Sequence, residues 1–146
     1  MSLAEARGWL RDNLDSGARC PCCTQIAKVY RRRIHAAMAR DLCHVHSACG
    51  VEWFHVRTAL GHDGGDFAKL AYWSLVEEST GRRDDGGRVG WWRITDHGRA
   101  FVLGQARVPK YARIYDGRCL GLTGDPVSIR DALGSRFNYD DLMEGR

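Results

Sequence analysis

The chain has 146 residues, 44% hydrophobic and 27% charged, enough to bury one sizeable core and too few for two large ones. No apolar run approaches the roughly 20 residues that span a bilayer, and the start M-S-L-A-E-A-R-G-W-L lacks a basic segment followed by an apolar one, so the expectation is a cytoplasmic protein with no membrane partner. Six cysteines in that compartment are expected as reduced thiols, which turns attention to metal binding, and the net charge of +4 falls far short of a histone-like binder.

The charge is unevenly placed. Residues 1–50 carry eight Lys/Arg against four Asp/Glu and residues 51–100 carry seven against eight, so the excess lies in the first third, where it suits a phosphate backbone or an acidic protein. Residues 2–15 read as a short amphipathic helix, with Ser2 as N-cap, Glu5 three positions on, and Leu3, Ala6, Leu10 and Leu14 on one stripe; Gly17 ends it. This helix is a candidate dimer element. After the turn C-P-C-C, Thr24 is the expected cap of a long helix to about Ala48, in which Ile26, Val29, Tyr30, Ile34, Ala37, Met38 and Leu42 recur at helical spacing.

Gly50 closes that helix, V-E-W-F-H-V alternates like a short strand, and V-R-T-A-L-G takes one or two helical turns before the loop H-D-G-G. Asp66 is the expected N-cap of the next helix, which carries Phe67, Leu70 and Ala71 on one side and Ala68, Lys69 and Tyr72 on the other. Leu75, Val76 and Glu77 begin a strand, S-T-G-R-R-D-D-G-G-R-V-G reads as a loop, and Trp91 to Thr95 form the returning strand. Trp91 and Trp92 are neighbours on that strand, so one points inward and the other outward; Trp9, Trp53 and Trp73 are expected in the core. Thr95 caps a helix whose Ala100, Phe101 and Leu103 face the core. From Arg107 onward, V-P-K-Y-A-R-I-Y and R-C-L-G-L flank Asp-Gly as a β-hairpin, S-I-R-D-A-L forms a short helix ended by Gly134, and F-N-Y-D-D-L-M offers another.

The run F-A-K-L-A-Y-W-S-L-V-E followed by W-W-R-I-T-D-H-G resembles the winged-helix superfamily over roughly residues 51–104. Most of the chain also resembles small proteins of bacteriophages and other mobile elements, in which a C-P-x-C turn and a basic helix precede such a core and a V-P-K-Y hairpin follows it. The fold class implied is α+β: a winged helix-turn-helix with an N-terminal helical extension and a C-terminal β-hairpin with short helices. Residues 1–50 then contribute helices to the core, 51–104 are the winged-helix core, and 105–146 form the C-terminal subdomain, all within one compact domain.

Two functions follow from the resemblance. The first is a phage or mobile-element DNA-binding regulator, with Lys69 and Tyr72 of the recognition helix and Arg82, Arg83 and Arg88 of the wing touching double-stranded DNA, and Arg31 and Arg32 extending the basic surface. The second is an inhibitor or adaptor that binds a host protein or ribonucleoprotein, such as a defence complex, with the winged helix as scaffold. Few of the side chains that read base edges stand on the recognition helix, and Asp84 and Asp85 dilute the charge of the wing, so phosphate contact is expected to outweigh base readout.

Cys20-x2-Cys23 and Cys43-x2-His46 have the spacing of a Zn²⁺ site. A continuous helix between the pairs, at about 1.5 Å per residue, would hold them far apart, so either the helix breaks or the four do not converge. Arg31, Arg32 and Arg33 in mid-helix cannot all face one way. His44, His46, His55, His62 and His97, with Cys23 or Cys43, lack the flanking pattern of a nucleophile site, and Gly64-Gly65 alone is a weak anion-binding signal, so no enzyme activity is expected.

Overall fold

Helix α1 (Leu3–Asn13) begins at Ser2, whose hydroxyl accepts the Glu5 backbone N–H as its sequence position predicts. Only Ala6 of α1 is buried; Leu3 and Trp9 are exposed. A computed structural model describes residues 1–80 and 90–145. Arg82, Arg83 and Arg88, expected on the wing, lie outside the described residues.

The expected helix from Thr24 to Ala48 does not form over its first half. Thr24 adopts a φ of 62°, a left-handed turn conformation that cannot start a helix. In its place come β1 (Ala18–Arg19), β2 (Ile26–Ala27) and β3 (Tyr30–Arg33), and α2 (Ala36–Cys49) begins only after His35. The backbone of this stretch finds its hydrogen bonds elsewhere: β2 pairs with β1, Val29 N–H donates to Leu14 C=O, and Ile34 N–H donates to Lys110 C=O. Ile26 and Tyr30, spaced as core residues of a helix, are 70% and 62% exposed, whereas Val29, Ile34, Met38 and Leu42 are buried. His35 supplies the cap of α2, its Nδ1 accepting the Met38 N–H at 3.4 Å.

After α2 come β4 (Phe54–His55), α3 (Val56–Leu60), a 3-10 helix η1 (Phe67–Trp73), β5 (Val76–Glu78), β6 (Trp91–Ile94) and α4 (Asp96–Val102). The three strands form one antiparallel sheet in the order β4-β6-β5. Trp92 turns into the core and Trp91 outward, as strand alternation requires. Phe67 fills the space between η1 and the sheet, edge-on to Phe54 at 5.8 Å and to Trp92 at 6.1 Å. Asp66 precedes η1 but makes no capping bond; its carboxylate goes to His35 and Lys69 instead, and the segment winds as a tight 3-10 helix. Thr95 caps α4 through the Gly98 N–H as expected, with Phe101 and Val102 buried and Leu103 exposed, a one-residue change in the inward face. Trp73 is buried, while Trp9 and Trp53 stand half out of the surface, against their expected burial.

Strands β7 (Val108–Tyr115) and β8 (Arg118–Val127) form the hairpin predicted from Asp-Gly, with Asp116 and Gly117 at φ of 51° and 72°, the paired positive angles that a two-residue turn needs. The hairpin takes β3 as its third strand, in the order β3-β7-β8. It also lies against η1: Trp73 Nε1 donates to Pro109 C=O at 2.7 Å and the Tyr72 hydroxyl donates to Gly117 C=O at 3.3 Å. Two short helices finish the chain, α5 (Ile129–Leu133), held by a Ser128/Asp131 capping box, and α6 (Tyr139–Met143), capped by Asn138. Buried residues from Ile34 to Leu133 make one continuous core in a mixed α+β fold.

Candidate nucleic-acid interface

Strand register places the basic residues. Arg31 stands opposite Arg113, Arg33 opposite Tyr111, and Arg32 opposite Ala112. Ala112 is buried in the core, so side chains at Arg31, Arg33, Tyr111 and Arg113 share the opposite, outer face of the sheet. Arg32 points toward the core side but sits on the edge strand, and all three arginines of β3 are exposed. The expected helical face therefore becomes a sheet face and an edge.

The Tyr111 ring anchors this surface. Gly124 lies across the hairpin from it at φ +95°, and a Cβ there would come within 2.8 Å of the ring, so glycine is what lets the tyrosine approach β8 this closely. The Arg31 guanidinium sits 6.0 Å above the ring centroid and Lys110 Nζ sits 5.7 Å from it. Arg113 is held by Asp15 at 2.6 Å, a link between the sheet and the end of α1. Among the described residues, Arg31, Arg32 and Arg33 have no carboxylate within ion-pair distance. Arg31 and Arg33, exposed on this outer face beside an aromatic ring and with no carboxylate at ion-pair distance among the described residues, make a surface that attracts polyanions.

The other expected contact residues stand elsewhere. Lys69 is paired with Asp66 at 2.5 Å, and the two bonds from Lys69 and His35 hold the Asp66 carboxyl below its usual range. Tyr72 is turned to the hairpin turn at Gly117. The face of η1 expected to read DNA is thus engaged by the protein's own side chains and backbone.

Nor do the expected zinc ligands converge. Cys20 and Cys23 belong to the turn between β1 and β2, whereas Cys43 and His46 lie on α2. Among the described residues, no three His, Cys, Asp or Glu side chains are arranged to hold a metal ion. Cys43 is buried, which pushes its thiol up to about 12, and burial first, then Arg99, keeps the His46 ring toward its neutral form. In the turn, bonds from the backbone of Cys23 and then Cys22 hold the Cys20 thiol below its ordinary value.

Beside η1, a cleft of about 360 Å³ contains two histidine–aspartate pairs. His35 Nε2 meets Asp66 at 2.9 Å and His62 Nε2 faces Asp41 at 3.6 Å. His35 Nδ1 already accepts from Met38 N–H, and His62 Nδ1 accepts from Gly64 N–H at 3.0 Å. Both rings thus accept a backbone N–H at Nδ1 and orient local backbone, and His35 Nε2 is also bonded to Asp66. The Gly64 N–H, a candidate anion donor in the sequence, is engaged in the same way.

Sequence reasoning named Arg31 and Arg32 but passed over Tyr111 and Arg113. Their signal is the alternation in V-P-K-Y-A-R-I-Y, where Tyr111 and Arg113 occupy one phase and Ala112 and Ile114 the other. Set beside family models, curated proteins and solved structures, the chain matches none of them.

Proposed function

We propose that the protein is a nucleic-acid-binding protein with a winged-helix core, a phage or mobile-element regulator that grips double-stranded DNA by its phosphates. The observation that carries this reading is the outer face of the β3-β7-β8 sheet, where Arg31 and Arg33 lie beside Tyr111 with no carboxylate at ion-pair distance among the described residues. The winged-helix assignment is supported by connectivity: α2, β4, α3, η1, β5 and β6 follow one another in the chain order that the sequence resemblance implies. The contact surface differs from the recognition-helix arrangement, because η1 packs under the hairpin. Binding of this kind is backbone-directed and tolerant of sequence, and no catalytic step is part of it. The test is fluorescence anisotropy with labelled duplexes of unrelated sequence. Similar affinities, lost on charge reversal at Arg31 and Arg33, support the reading; unchanged affinity in that variant removes the sheet face from it.

A second surface favours the reading as an adaptor for a host protein. Trp53 and Trp91 are each 41% exposed; Arg93 stacks 4.6 Å from the Trp53 ring and is neutralised by Glu77. Aromatic, charge-neutral patches of this kind anchor protein partners. A nuclease-resistant complex from host lysate that disappears with Trp53→Ala and Trp91→Ala, and not with the arginine variants, decides for the adaptor.

A further inference from the structure

The turn Cys20-Pro21-Cys22-Cys23-Thr24 is more ordered than a surface connection requires. Cys20 N–H donates to Gln25 C=O at 2.7 Å, Thr24 N–H donates to Cys20 C=O at 2.9 Å, and Thr24 takes the left-handed conformation that reverses the chain. The backbone N–H groups of Cys23 and Cys22 are turned to the Cys20 sulfur. Cys20 and Cys23 both line one shallow cleft with Lys28 and Tyr30, and Cys22 does not. The Cys20 and Cys23 sulfurs in this cleft are half of a tetrahedral set; the Cys22 thiol also reaches Cys20 but is not part of the cleft lining, and among the described residues no three His, Cys, Asp or Glu side chains are arranged to hold a metal ion.

We propose that Cys20 and Cys23 form a half-site for Zn²⁺ and that a second copy of this chain closes it, giving one tetrathiolate ion per two chains. A two-fold axis through the metal brings the identical pair from the second copy, so one turn supplies all four ligands. On binding, four thiols release four protons and the centre carries two negative charges; Lys28 beside the cleft and Arg19, whose guanidinium bonds to Thr24 C=O, offset them from each chain. Ile26, 70% exposed, and Tyr30, 62% exposed, line the same cleft and provide apolar surface for the second copy to cover. The inference is independent of the nucleic-acid reading.

The test is titration of the reduced full-length chain with Co²⁺ as optical probe, together with native mass spectrometry in Zn²⁺. Expected are thiolate-to-cobalt absorption that saturates at one ion per two chains, a doubled mass, and return to single chains on adding a chelator. Cys20→Ser and Cys23→Ser each weaken metal binding at least tenfold, while Cys22→Ser leaves it intact; the surface position of the turn allows all three to fold, which unchanged circular dichroism checks. One ion per single chain, a mass indifferent to metal, absence of binding at micromolar metal, or equal damage from Cys22→Ser each overturns the proposal.

Discussion

Gly98 lies where the first turn of α4 crosses the backbone at Leu75, and a Cβ there would stand 2.0 Å from the Leu75 carbonyl oxygen and 2.8 Å from Ile94 Cγ2. Neither neighbour can yield without moving β5 or β6, so Gly98→Ala is expected to cost about 3 kcal/mol or more, at the high end of overpacking changes. Denaturant unfolding measures it; a loss below about 1 kcal/mol would show that α4 can slide away from the sheet. Cys43 offers a pH-dependent case. Its buried thiol titrates at about 12 against 9.0 for an ordinary one. Between those values the unfolded chain gives up the proton and the native chain keeps it, so the thiol's contribution is whole below pH 9 and is lost as pH rises toward 12. The stability advantage of the parent over Cys43→Ala should therefore be largest near neutral pH and shrink above about pH 9. An advantage that stays constant to about pH 11 would place Cys43 in contact with solvent.

Elements meet chiefly through single polar links set in apolar contact. Trp73 is the strongest of these, filling the core from η1 while its Nε1 satisfies Pro109 C=O at the start of the hairpin. Trp73→Phe leaves that carbonyl without its partner and opens space, at an expected cost of about 2–3 kcal/mol in equilibrium unfolding. Tyr72→Phe, which gives up a longer bond at an exposed turn, is expected to cost well under half as much. Equal losses in the two would mean that the hairpin is held by the Gly117 contact rather than by the core. The same junction was not legible locally: nothing in residues 66–73 announces that Tyr72 and Trp73 will bond to a hairpin roughly 40 residues later in the chain. Local capping and turn chemistry, in contrast, was legible at Ser2, Thr95, Asp116-Gly117 and Gly134, because each acts within three or four residues of itself.

For the whole molecule, a modest net charge of +4 conceals a concentrated one. All three arginines of β3 are exposed, Arg31 and Arg33 on the outer sheet face and Arg32 at the edge, while among the described residues most charges near η1 and β6 are paired internally. If phosphates are bound there, Arg31→Glu with Arg33→Glu should weaken duplex binding at least tenfold at low salt. The double variant should also flatten the dependence of log affinity on log salt by about 2, because each arginine neutralises one phosphate in the parent. Weaker binding with an unchanged salt slope would mean that these residues support the fold of the sheet and touch no phosphate.

By itself the sequence determined the helices α1 and α4 to α6, the C-terminal hairpin, the strands on either side of residues 81–89, and the inward and outward sides of Trp92 and Trp91. Those follow from capping groups, left-handed turn residues and alternation, which are short-range effects. Tertiary structure decided the fate of residues 24–35. Ile26, Val29, Tyr30 and Ile34 fit a helical period as well as they fit strands, and the choice went to the strand because β7, some 80 residues away, offers its backbone hydrogen bonds to β3. That pairing turned Arg31 and Arg33 from opposing sides of a helix into neighbours on one sheet face with Tyr111. It also separated the C-P-C-C turn from α2, leaving Cys20 half-buried and Cys23 exposed at the surface while Cys43 became part of the core. Side chains far apart in a chain acquire a common surface only when the backbone between them has found its partners.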